Sequence, residues 1–137
     1  MENIHTEFIE RYNAAKGVAE TRQLAELLNS GAFLMFFAED TFLRIAGLMP
    51  FHLGAFTQAA ETGVPIIPMA IRGTRSILRS DSWFPHHGSI HIEVGEVIDS
   101  RVFEDGLDKD SWNLAIKNLR DQSRQFILRH CGEPDLS

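Results

Sequence analysis

Cysteine is nearly absent: Cys131 is the single one in 137 residues. No intrachain disulfide can close, no cysteine-based zinc site can be assembled, and a reducing compartment suits the chain. Long apolar runs are missing too. No stretch approaches the roughly 20 residues that cross a bilayer, and the start, Met1-Glu2-Asn3-Ile4-His5, has neither the basic region nor the apolar core of a secretion signal. The expected location is the cytoplasm, with any membrane contact peripheral and at the inner face. Positive charge is in deficit. Thirteen Lys and Arg against 19 Asp and Glu set a formal charge of −6, which argues against a nucleic-acid partner and against tight electrostatic adhesion to anionic lipid. A net deficit still permits a local patch. Arg72, Arg75 and Arg79 lie close together with no acid between them, either as such a patch or as arginines on a solvated loop.

What is present is ordinary for a folded chain. An apolar share of 44% with 23% charged residues and no low-complexity tract predict an ordered protein. A chain of this length suits one domain that buries roughly two thirds of its unfolded surface.

Read in order, Phe8 to Tyr12 fit a short strand. Val18, Leu24, Ala25, Leu27 and Leu28 then recur at helical spacing until Ser30-Gly31 ends the helix. The continuous apolar run Phe33-Leu34-Met35-Phe36-Phe37 predicts a strand covered on both faces, as in a parallel sheet. Strand, helix, strand in that order favours a right-handed crossover and a parallel pair. Gly54 to Thr62 reads as a short helix stopped by Gly63, and Val64 to Ile71 as the next strand. Pro65 and Pro68 each remove a backbone donor, so this strand is expected to be the least regular. Ser80 to Gly88 reads as a loop, and Ile90, Ile92 and Val94 alternate with His91 and Glu93 as in a strand with one wet face. A long helix over 111–131 follows, with Trp112, Ala115, Ile116, Leu119, Phe126 and Ile127 as its apolar stripe and Ser111 or Asp110 as its cap. The tail, 132–137, is expected to fray. The predicted class is α/β, a mostly parallel sheet flanked by helices.

The polar cluster Glu39-Asp40-Thr41, with Arg44, follows the first apolar strand at its carboxyl end, where open α/β sheets place their ligands. Around it stand Phe37-Ala38-Glu39-Asp40-Thr41-Phe42-Leu43-Arg44, Gly54-Ala55-Phe56 and Val64-Pro65-Ile66-Ile67-Pro68-Met69, preceded by Phe8-Ile9-Glu10-Arg11 and followed by Gly95-Glu96-Val97-Ile98. In that order these blocks resemble the glycerolipid acyltransferase family. Its members carry Phe-Ile-x-Arg, Phe-Pro-Glu-Gly-Thr-Arg-Ser-Arg, Gly-Ala-Phe, Val-Pro-Ile-Val-Pro-Val and Gly-Glu-Pro-Ile. The resemblance covers about residues 8–98. Two of its departures bear on activity: Ala38 stands for Pro, and Asp40 for Gly. The family's signature His, four residues, Asp lies upstream of the Phe-Ile-x-Arg block, and this chain begins seven residues before Phe8.

The resemblance implies transfer of a fatty acyl group from coenzyme A or acyl carrier protein to glycerol phosphate or a lysophospholipid, with no cofactor beyond that donor. It implies Arg11 and Arg44 on the acceptor phosphate, with Glu39 and Thr41 shaping the turn. A guanidinium fork matches phosphate geometry. The other reading of the two arginines is a surface ion pair with Glu10 or Glu39. Phe36, Phe37, Phe51, Phe56 and the run Val64, Pro65, Ile66, Ile67, Pro68 either line an acyl groove or pack a core. His52 is the candidate replacement for the family's base, against a role as a surface or packing residue. Six histidines with no helical i, i+4 pair and no partner cysteine make no metal site.

The expectation is an incomplete acyltransferase-like domain over 1–131, inactive or nearly so by itself, whose catalytic His and Asp lie outside the chain. The rival is a non-catalytic module that binds lipid or an acyl carrier, or that regulates a partner by supplying a missing half. A parallel sheet lacking its first strands exposes an edge and an apolar face, so a homo-oligomer is expected.

Overall fold

The computed structural model describes residues 25–39, 46–78, 83–101 and 108–136. The chain divides into two units, Met1–Met35 and Phe36–Ser137. Within the first, residues 25–29 are helical (α1). The Ser30 hydroxyl donates to the Leu27 carbonyl at 2.7 Å, and the Ala32 N–H to the same carbonyl at 3.1 Å, so the helix closes at Ser30-Gly31 as its sequence requires.

The run Phe33–Phe37 is not a strand. Phe33 is 97% exposed, and no described backbone pairs with it. An apolar run signals a need for cover on both sides, whereas a strand exists only by pairing with a neighbour. The expected partner strand at Phe8 to Tyr12 lies outside the described residues.

The second unit holds α2 (Gly54–Thr62), β1 (Met69–Arg72), α3 (Thr74–Ile77), β2 (His91–Val94) and α4 (Lys109–Cys131). Its described sheet is a two-stranded antiparallel pair with Met69 opposite Val94 and Arg72 opposite His91; the parallel pairing expected is not seen among the described residues. A parallel return needs a crossover that carries the chain back along the strand. Here α3 is four residues long, and the chain turns back on itself instead.

The ribbon continues past the strands. Ile66 and Ile98 exchange both N–H···O bonds, at 2.9 and 2.8 Å. From the Met69–Val94 pair to the Ile66–Ile98 pair one side takes three steps and the other four, so one extra residue is accommodated at Gly95 to Val97. This bulge sits opposite Pro68, which has no N–H to give. The Pro68 carbonyl instead receives the Gly95 N–H at 2.8 Å. A Cβ on Gly95 would come within 2.9 Å of Pro68 Cγ and 3.0 Å of the Phe126 ring, which accounts for glycine there. The regular strand begins only after the second proline.

Packing comes from α4, which lies against β1 and α2. Leu48, Phe51, Phe56, Ala60, Ile116 and Leu119 form the buried core, with Trp112, Ile127 and Leu128 packed beside it. Asp108, not Ser111 or Asp110, is the N-cap. Its carbonyl accepts the Trp112 N–H at 3.1 Å, which sets the first turn, and its carboxylate takes the Ser111 hydroxyl. Ser100 is fully buried with its hydroxyl 3.0 Å from the Ala59 carbonyl and 2.5 Å from that of Val64, pinning the end of α2 to the ribbon. β2 has no second neighbour among the described residues, so its side chains are exposed on both faces. One wet face was expected.

The tail is docked, not frayed. Leu48 donates its N–H to the Pro134 carbonyl at 2.8 Å, and Leu136 returns one to the Leu48 carbonyl at 3.1 Å. Gly47, at φ 149°, leaves room for Leu136, whose side chain would overlap any Cβ at that position.

Candidate functional site

Among the expected phosphate ligands, Arg11, Arg44 and Thr41 lie outside the described residues, as does Asp40. Glu39 is described and half-buried. Its Oε2 accepts the Met49 N–H at 3.0 Å, and the Ala38 carbonyl beside it accepts the His52 N–H at 3.0 Å. These two bonds close the segment from Ala38 to His52 at its base. Glu39 therefore spends a charged acceptor on a backbone amide, a charge-assisted bond worth about 1.5–3 kcal/mol.

The Leu48–Met49 end of this segment is held by Arg124 of α4. Its Nη2 donates to the Leu48 carbonyl at 3.1 Å and its Nε to the Met49 carbonyl at 3.3 Å. The same guanidinium takes Asp135 of the tail in a two-pronged pair, at 3.1 Å and 2.5 Å, and its Cζ stands 5.9 Å from the Phe51 ring centre. The hydrogen bond from Asp135, with the charges of Asp135, Glu39 and Asp121 behind it, raises the Arg124 pKa above the ordinary guanidinium value. Arg75 of α3 pairs with Glu133 at 2.9 Å, so the tail is strapped by two arginines and one backbone bridge. That pairing also takes Arg75 out of the free basic cluster expected at Arg72, Arg75 and Arg79; Arg72 is exposed, and Arg79 lies outside the described residues.

Sequence reasoning passed over Arg124 and Asp135. The signal was present in α4. Arg124 stands three residues before Ile127 and four before Leu128, which places it on the stripe that faces the core. A charge on an inward stripe asks for a partner.

His52 is exposed; its backbone, not its ring, carries the one hydrogen bond described above. Within the run assigned to the acyl chain, Pro65 and Ile67 are exposed, Val64 and Ile66 half-buried and Pro68 buried. Pro68 alone of the five lines an open cleft of about 360 Å³, shared with Glu96, Ile98, Gln122 and Phe126. The His, four residues, Asp spacing does occur once, at His130 and Asp135. It falls at the opposite end of the chain from the family's pair. His130 Nδ1 is 2.7 Å from the Phe126 carbonyl, and Asp135 is engaged by Arg124, so both groups are committed to holding structure.

The family model described as Acyltransferase matches residues 1–72. A chloroplastic 1-acyl-sn-glycerol-3-phosphate acyltransferase of Brassica napus is 37% identical over 78 residues, covering 56% of this chain and 23% of that protein. The 1-acyl-sn-glycerol-3-phosphate acyltransferase of Haemophilus influenzae is 34% identical over 93 residues, covering 67% and 38%. The crystal structure of the 1-acyl-sn-glycerophosphate acyltransferase PlsC from Thermotoga maritima superposes with a TM-score of 0.57 at 21% identity, over 81% of this chain and 45% of that one. The chain thus spans less than half the length of each of these relatives, and the superposition speaks to fold.

Proposed function

The chain belongs to the acyltransferase family, and on that footing we propose that it is the acceptor-handling portion of an enzyme acylating glycerol phosphate or a lysophospholipid. Arg11 and Arg44 grip the acceptor phosphate, and Glu39 and Thr41 shape the turn. The observation that carries this reading is the Glu39 carboxylate closed on the Met49 amide. It fixes Glu39 one residue before Asp40, two before Thr41 and five before Arg44 in sequence, and a phosphate site depends on fixed geometry. Val64, Pro65, Ile66, Ile67 and Pro68 are the proposed acyl-facing run, with Pro65 and Ile67 its exposed members.

In the proposed reaction the acceptor hydroxyl oxygen attacks the thioester carbonyl of acyl coenzyme A or acyl carrier protein. The C–O bond forms, the C–S bond breaks, and the hydroxyl proton passes through a base to the departing thiolate. A positioned base contributes about 10²–10⁴ in rate. The family's His and Asp precede the matched blocks, so this stretch alone is proposed to bind acceptor with little or no turnover. A peripheral place at a membrane follows from the lipid nature of the acceptor.

Titration calorimetry with sn-glycerol 3-phosphate and lysophosphatidate tests the binding. Saturable heat that disappears in Arg44→Ala and Arg11→Ala supports the reading, and its absence in the unmodified chain refutes it. Labelled acyl transfer, run on this chain and on one extended upstream, tests the division of labour: activity confined to the longer chain is expected.

A further inference from the structure

The peptide that links Leu48 to Met49 is held at both of its polar atoms. Its carbonyl accepts the Leu136 N–H at 3.1 Å and Arg124 Nη2 at 3.1 Å. Its N–H donates to Glu39 Oε2 at 3.0 Å. A peptide unit is one rigid plane with its C=O and N–H pointing opposite ways, so the groups that aim the carbonyl also aim the N–H. The next link is stiffened as well. Pro50 holds the residue before it away from helical backbone, and the Met49 carbonyl accepts Arg124 Nε at 3.3 Å.

On the carbonyl side the described grip comes from Arg124 and the segment 133–136. Glu133 pairs with Arg75 at 2.9 Å, the Pro134 carbonyl takes the Leu48 N–H at 2.8 Å, and Asp135 takes Arg124 on both oxygens. Leu48 and Asp135 form a parallel bridge, a single rung of the pattern by which an extended segment adds to an open backbone edge. The Leu136 side chain fills the space that a Cβ on Gly47 would take, and Gly132, at φ 73°, lets the chain leave α4 and turn onto Leu48. Pairs that use exposed carboxylates hold weakly. This strap therefore belongs to the low-stability end of the fold, where segments open locally while the helices stay formed.

We propose that the segment 133–136 is a positioning strap for Glu39, acting together with Arg124 through the Leu48–Met49 peptide. Arg124 and Leu136 are positioning residues: they aim the amide that the Glu39 carboxylate accepts. Acceptor affinity then depends on whether the strap is docked. That consequence rests on the reading of Glu39 as shaping the acceptor turn, whereas the coupling of strap to Glu39 does not. Coupling is reciprocal, so what the strap does for the Glu39 bond, the Glu39 bond does for the strap.

Amide hydrogen exchange on the full chain, read by NMR, tests the coupling. Ile66 and Ile98, whose N–H groups bond each other's carbonyls in the ribbon, are the internal references. Arg124→Ala, and Glu133→Gln combined with Asp135→Asn, are each expected to speed exchange at Met49 about tenfold more than at the references. In the other direction Glu39→Ala, which removes none of the strap's own contacts, is expected to speed exchange at Leu136 about fivefold. Glu39 is also among the charges that act on Arg124. Glu39→Gln, which keeps an acceptor without the charge, is therefore the control and is expected to move Leu136 less. A general loss of stability moves Met49, Ile66 and Ile98 together and does not imitate this pattern. The tail substitutions lie outside the core, so they decide the matter even where Arg124→Ala fails to fold. Calorimetry with sn-glycerol 3-phosphate reads the consequence, an affinity about tenfold lower in the tail double variant. Met49 exchange that follows the references in that variant, no change at Leu136 in Glu39→Ala, an equal effect of Glu39→Gln and Glu39→Ala, or undiminished affinity in a chain that binds acceptor would each overturn the proposal. If the unmodified chain binds no glycerol phosphate, the acceptor reading fails, while a selective loss of Met49 protection still supports the strap as what positions Glu39.

Discussion

Arg124→Ala is the substitution with the most to say about how this domain holds its loop. It removes one guanidinium that touches Leu48, Met49 and Asp135 at once and caps the Phe51 ring. The Arg124 side chain is 12% exposed and that of Asp135 43%. Asp135 recovers water when its partner leaves, so the ion pair itself is worth no more than about 1 kcal/mol. The bond to the Leu48 carbonyl is charge-assisted and protected, about 1.5–3 kcal/mol, though that carbonyl keeps the Leu136 N–H and is not orphaned. The contact with Met49 is longer and contributes less. A loss of about 3 kcal/mol is expected, a sizeable part of the 5–15 kcal/mol that domains possess. Urea denaturation followed by circular dichroism measures it, with Asp135→Asn as the companion variant at about 1 kcal/mol or less. If Asp135→Asn costs as much as Arg124→Ala, the carbonyl bonds carry nothing and the reasoning is wrong. A change below about 0.5 kcal/mol for Arg124→Ala has the same meaning.

Gly95→Ala forces a methyl against Pro68 and Phe126 and should cost about 1–3 kcal/mol in the same denaturation assay; a neutral result would show that the bulge can yield. Asp99 is held well below the usual carboxylate value of 3.8, at about 2, chiefly by the Arg101 side chain and then by the Arg101 backbone N–H. Because its folded value is depressed, any stabilisation it provides is complete above 3.8 and is lost as pH falls through about 2. Carboxyl NMR titration should find that low midpoint, and Arg101→Ala should return it toward 3.8. Asp40→Gly removes a carboxylate beside the proposed phosphate, a repulsion on the order of 4 kcal/mol at about 4 Å in a medium of dielectric about 20, so calorimetry should show tighter glycerol phosphate binding; equal or weaker binding contradicts the placement. The exposed apolar side chains Phe37, Ile92 and Val94 support the expected self-association, which light scattering at micromolar concentration checks; a sharp monomer mass rejects it.

Local rules were legible in the residues. Gly63 stops α2 at Thr62, and Gly132 ends α4 after Cys131, because left-handed backbone at a helix end is a property of one residue and its neighbours. The prolines at 65 and 68 broke the strand where their missing donors demanded. The apolar run at 33–37 misled because an oily segment reports what it must bury, not which backbone will pair with it. The docked tail was hidden for a related reason. Glu133, Pro134, Asp135 and Leu136 read as a polar end, and nothing near them in sequence announces Leu48 or Arg75.

The chain by itself therefore determined the bounds of α2, the end of α4, the irregularity of the strand that holds the two prolines and the acyltransferase motifs, all of which depend on residues a few positions apart. Tertiary structure decided that Glu39 closes on Met49, that Arg124 gathers the loop and the tail, and that Trp83 and Phe84 face outward. Each of these joins or separates groups distant in sequence. Their energies depend on distance and on exclusion of water, quantities that exist only once the chain has packed.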